Sequence, residues 1–124
     1  MRTYLLLNEV KGFVEVALDS LSKQKRDYSY EEIVELEEKT GKKYHACYQK
    51  KVFKPGANLE GRKITSYYRN YITANYLKVI MEVTGAKNTS EIDKDIDIDD
   101  LSLKVLEATD KLGYQEHLKR KNNR

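Results

Sequence analysis

Residues 61–83 read GRKITSYYRNYITANYLKVIMEV, and threading them on a helix at 100° per residue sorts them into two unlike faces. Ile64, Tyr68, Ile72, Tyr76, Val79 and Val83 fall on one side. Arg62, Ser66, Arg69 and Thr73 line the other, with Lys63 and Asn70 beside them. Such a pattern predicts one long amphipathic helix, ending at Gly85. Arg, Ser, Asn and Thr carry the donors that phosphates and base edges accept, although most polar helix faces are simply solvated.

The flanking sequence is helical in the same sense. Leu6, Val10, Phe13, Ala17 and Leu21, widened by Val14 and Leu18, predict a helix from Thr3 to Lys23 that tolerates Gly12. Ser29-Tyr30-Glu31-Glu32 is a capping box that starts a second helix, with Ile33, Val34 and Leu36 directed inward and Gly41 as its stop. Tyr44, Tyr48 and Val52, spaced by four, predict a third helix over Lys43–Phe53, and Pro55-Gly56-Ala57-Asn58 a loop. Asp99 or Asp100 caps a last helix carrying Leu101, Val105, Ala108 and Leu112, which Gly113 ends. With one Pro, six Gly and no Trp among 124 residues, an all-β plan lacks its breaks. The expected fold is therefore all-α: one domain over residues 1–118, a compact bundle of about five helices, and a basic, flexible tail over 119–124.

Charge is unevenly distributed. The net charge is +3, yet residues 42–81 hold nine Lys or Arg against Glu60 alone. Residues 82–100 hold seven Asp or Glu against two Lys. A basic middle of this density attracts polyanions, or pairs with the acidic segment of a neighbour in a homo-oligomer. Ten Tyr against two Phe supply rings that suit both half-buried helix faces and interfaces.

Chemical motifs are sparse. His45 and Cys47 sit two apart, but with His117 the only other His and no second Cys, a tetrahedral metal site is not expected. Asp93–Asp100 alternates acidic residues as a calcium loop does, yet Ile98 and Lys104 occupy the positions that need Gly and Glu. The expected role of that segment is structural, with Ile92, Ile96 and Ile98 tethering it and Asp99 and Asp100 at a helix N-terminus. No phosphate loop, nucleophile elbow or metalloprotease helix occurs, so neither an enzyme nor a cofactor is expected. The lone cysteine fits a reducing cytoplasm. The apolar run Tyr4–Leu7 is cut short by Asn8 and Glu9, which argues against a signal peptide or membrane span.

Two surfaces stand out for binding. The pair of helices about Gly41 resembles a DNA-binding helix-turn-helix, which would present Lys42, Lys43, His45, Gln49 and Lys50. It departs from that pattern at Glu37, where a small residue is usual, and at Lys50, where an apolar one is. The other surface is the Arg62–Thr73 stripe. Its Thr65-Ser66-Tyr67-Tyr68-Arg69-Asn70 resembles a short segment of the small helical subunit of type III CRISPR effector complexes, over six residues of the chain.

The reading from sequence is a small regulatory nucleic-acid binder acting in transcription, replication or defence. Its contact residues are Lys42, Lys43, Lys50, Lys51, Arg62, Lys63, Ser66, Arg69, Asn70 and Thr73. The competing reading is a protein-interaction module (an inhibitor, adaptor or assembly subunit of a phage or mobile element) acting through the same Tyr- and Arg-rich surface.

Overall fold

The computed structural model describes residues 3–24, 26–49 and 58–122, and their side chains except in 47–49 and 58–65. Five α-helices, α1 (Leu7–Lys23), α2 (Tyr30–Gln49), α3 (Asn58–Thr84), α4 (Ile98–Thr109) and α5 (Lys111–Asn122), form the expected all-α bundle. A 3-10 turn, Thr89–Glu91, lies between α3 and α4. Extended pairing among the described residues amounts to an isolated antiparallel bridge, Ser29 to Asn88. The Pro55–Ala57 part of the expected loop lies outside the described residues, as does the Lys50–Phe53 end of the expected third helix.

The first helix starts later than its apolar run suggests. Leu6 is extended, its N–H donates to Glu9 Oε1 at 2.9 Å, and the Leu5 N–H donates to Asp110 Oδ2 at 2.7 Å. These residues tie the N-terminal segment to the α4–α5 junction rather than extending α1. Val10, Val14 and Ala17 are fully buried. Phe13 was expected to be enclosed with them, but it is half-buried, its ring stacked 5.0 Å from that of Tyr76.

The Ser29 capping box forms as read: the Glu32 N–H donates to Ser29 Oγ and the Ser29 N–H to Glu32 Oε1, both at 3.2 Å. The stop at Gly41 does not. One continuous helix, α2, runs through Gly41 to Gln49, so Lys43 opens no separate helix and the helix-turn-helix reading fails here. The physical reason is tertiary. A Cβ on Gly41 would come 3.1 Å from Tyr71 Cε1, so glycine serves close approach of α3 instead of chain reversal.

Helices α2 and α3 make the most extensive interhelical contact in the fold. They run antiparallel in a steady register: Tyr30 bonds Glu82, Glu37 accepts from Asn75 at 2.8 Å and Lys78 at 3.3 Å, and Tyr44 meets Tyr68. Glu37, a misfit in a helix-turn-helix, is thus a rung of this hairpin. Leu36 was expected inside but is 38% exposed, while Ile33 is fully buried.

The amphipathic split expected of α3 is only partly found: Ser66, Arg69 and Asn70 are exposed, but so is Tyr68, from the apolar side, at 42%. Ala74, Tyr76, Leu77, Val79, Ile80 and Met81 are all buried, because α1 and α4 as well as α2 pack against α3. The side that is polar at Ser66–Thr73 continues as Leu77 and Ile80. Gly85, with φ 76°, ends α3 in the left-handed turn that favours glycine.

The acidic segment is fastened down by two of the three expected isoleucines: Ile92 is buried and Ile96 packs on the core, while Ile98 is half-buried at the start of α4. Asp97, rather than Asp99 or Asp100, caps α4, accepting from the Asp99 and Asp100 N–H groups at 2.9 and 3.1 Å. Upstream, the Asp27 carboxylate accepts from Ser90 N–H and Oγ–H at 2.9 Å each and from Thr89 Oγ–H at 3.1 Å. These bonds hold its carboxyl below the usual carboxylate range.

The last helix is two. Gly113 ends nothing; it lies buried in α5. The break falls at Asp110, whose carboxylate accepts the Gly113 N–H at 3.0 Å while also holding Leu5. Lys119, Arg120 and Lys121 form the last turn of α5, where positive charge is favourable. Among the described residues no helix is long and apolar enough to cross a membrane.

Candidate nucleic-acid interface

The register of the hairpin decides what meets at its end remote from the core. The rungs Gly41–Tyr71 and Tyr44–Tyr68 bracket Lys42 and Lys43 on α2 and Arg69 and Asn70 on α3. All four therefore lie at one height. Gly41 and Tyr44 face α3, so Lys42 and Lys43, each about 100° from its neighbour, turn away from it. Lys42, Lys43, Ser66, Arg69 and Asn70 are exposed and Thr73 is half-buried.

Charge is sorted along α2. Glu31, Glu32, Glu35, Glu37 and Glu38 occupy its first half, which Lys39 closes, and only Lys42 and Lys43 are charged in the second. This polarity suits the helix dipole, and it leaves the outer end of the hairpin basic. Among the described residues Lys42, Lys43 and Arg69 have no ion-pair partner. Lys78, further along α3, differs: Glu37 neutralises it at 3.3 Å.

Of the ten residues expected to contact a ligand, the structure describes the side chains of Lys42, Lys43, Ser66, Arg69, Asn70 and Thr73, towards the same end of the α2–α3 pair. The side chains of Arg62 and Lys63 lie outside the described residues, as do Lys50 and Lys51 altogether. Arg69, Asn70 and Thr73 also line a groove of about 460 Å³ between α1, α2 and α3. Its α1 wall comprises Val16, Ser20 and Lys23, followed by Gln24 just past the helix, and its α2 wall Ile33, Leu36 and Thr40. Val16 and Leu36 are each 38% exposed there, and no carboxylate lines it among the described residues.

Two features went unread in the sequence. One is this groove, which needs the packing of three helices to exist. The other is an aromatic group across the hairpin seam: the Tyr44 ring lies 5.3 Å from Tyr68 and 6.2 Å from Tyr71, and His45 5.8 Å from Tyr71. Its signal was present as Tyr44 on one helix and Tyr68 and Tyr71, three apart, on the other, and only the register was missing. Among the described residues no group of three or more His, Cys, Asp and Glu is placed to hold a metal ion.

No family model, curated protein or solved structure matches this chain. The six-residue likeness of Thr65–Asn70 to the small subunit of type III CRISPR effectors gains no support from them.

Proposed function

We propose that the chain binds nucleic acid through the outer end of the α2–α3 hairpin and acts as a small regulatory or assembly factor in the cytoplasm. It is read as a binder, without cofactor or catalytic role. The observation that carries the reading is the bracketing of Lys42, Lys43, Arg69 and Asn70 between two rungs of the hairpin. Three unpaired cations and an amide lie at one height along the two helices, on a helical stretch without carboxylates. Phosphates take such donors as point charges, by a planar guanidinium fork or through an amide. The measurement is fluorescence anisotropy with labelled DNA and RNA across 50–200 mM salt. Affinity should fall steeply with salt, as each phosphate contact releases counterions. Affinity that is absent, or flat across that range, refutes the proposal.

A second reading rests on the groove. Exposed Val16 and Leu36 beside Lys23 and Arg69 offer an apolar floor with a positive rim, which suits an acidic amphipathic peptide. Binding of an acidic amphipathic peptide that Leu36→Glu abolishes, with no binding of DNA or RNA, would favour this account over the first.

A further inference from the structure

The basic end of the hairpin is also its aromatic end. Within the seam, Tyr71 has a packing role: it is half-buried and covers Gly41. Tyr44, half-buried beside it, joins the two helices. Tyr68 and His45 are different. Tyr68 is 42% exposed and His45 is exposed, although each touches the seam from its own helix. Burial alone gives little reason for an aromatic ring at either place, since much of each ring is left in water. Each is adjacent in sequence to the cationic stretch of its helix, Tyr68 beside Arg69 and His45 two residues from Lys43.

A double helix hides the faces of its bases and offers its phosphates outside. A single strand offers both at once. Exposed rings set among unpaired cations therefore discriminate between the two forms, whereas cations alone do not. Resting on the proposed function above, we infer that the ligand is single-stranded nucleic acid, its bases stacked on Tyr68 and His45 and its backbone held by Lys42, Lys43 and Arg69. Stacking is tolerant of sequence, because every base has a π-face. The 2′-hydroxyl plays no part in it, so the shared chemistry covers single-stranded DNA and RNA alike.

The test titrates the full chain with oligo(dT), oligo(U) and a duplex of matched length at several salt concentrations. Both single strands should bind more tightly than the duplex. Tyr68→Ala should weaken single-strand binding roughly 5- to 100-fold, leave the salt slope unchanged and leave duplex binding untouched. Tyr68→Phe should bind as the wild type does, which a hydroxyl-mediated contact would not allow. His45→Ala, at an exposed position, repeats the test should Tyr68→Ala prove unfolded by circular dichroism. Salt-sensitive binding with no preference for single strands, or one indifferent to both substitutions, overturns this inference and leaves the proposed function standing. Absence of binding to all three probes overturns both.

Discussion

The ring of Tyr71 lies against the Cα of Gly41, closely enough that a Cβ there would meet Tyr71 Cε1 at 3.1 Å. Gly12, on the exposed side of α1, has nothing within 4 Å of the same imagined atom. Both glycines are helical, so replacing either by Ala gains about 0.5–1 kcal/mol of intrinsic propensity. At Gly12 that gain should appear in full as a raised denaturation midpoint. At Gly41 it should be cancelled or reversed by displacement of Tyr71, and Gly41→Leu should cost about 1–3 kcal/mol. Urea melts of the three variants measure this. Equal stabilisation by both alanines would mean that α2 and α3 are not so closely apposed.

Phe13 and Tyr76 form a ring pair that joins α1 to α3, stacked at 24°. Tyr76 is 5% exposed, and burial pushes its phenol above the usual range. Phe13 is only half-buried, so Phe13→Ala should cost about 1.5–3 kcal/mol, short of the figure for an enclosed ring. Val14→Ala, at a fully buried position, should be comparable despite the smaller side chain. A Phe13→Ala protein that melts with the wild type would detach Phe13 from the core altogether.

Where periodicity alone decides, the sequence was legible: Val10, Val14 and Ala17 in α1, Leu101 and Val105 in α4, and the end of α3 at Gly85. It misled wherever a local signal was answered by a distant residue. Gly41 looks like a stop until Tyr71 is placed over it. Gly113 looks like another, but a Cβ there would lie 2.5 Å from the Leu5 carbonyl oxygen, so it is glycine to let the N-terminal segment cross. Asp110 carried an N-cap signal that was legible, and the uninterrupted apolar spacing from Leu101 to Leu112 masked it. The candidate site was half-legible for the same reason. Composition located the basic stretch and the helix wheel its polar stripe, but which lysines lie level with Arg69 depends on a register between two helices that no single-helix pattern contains.

Stability should respond to acid through Asp27. The three bonds from Thr89 and Ser90 favour its ionised form in the folded protein. A carboxyl held low by folding contributes stability above its unfolded value of about pH 4, and that contribution is lost as pH falls through the folded value. Asp27→Ala should therefore be less stable than the wild type at neutral pH. The gap should close progressively in urea melts below about pH 4. A gap that stays constant into acid would assign the loss to packing of the 85–98 segment on α1 rather than to the charge.

The basic end of the hairpin makes the sharpest demand. Lys43 and Arg69 lie at one height, exposed and unpaired, whereas Lys78 on the same helix already faces Glu37 at 3.3 Å. A cation that contacts a phosphate releases a counterion when it binds, and one neutralised within the fold does not. Lys43→Ala combined with Arg69→Ala should thus lower the slope of log affinity against log salt by up to about two units. Their thermal stability should change little, since exposed side chains without partners contribute little to folding. Lys78→Ala should do the reverse: leave the slope unchanged and lower stability, because it strips a half-buried carboxylate of one partner. Should Lys78→Ala shift the slope as far as the double variant does, the positive charge of α3 acts as a diffuse field, and the grouping of Lys43 with Arg69 carries no special role in binding.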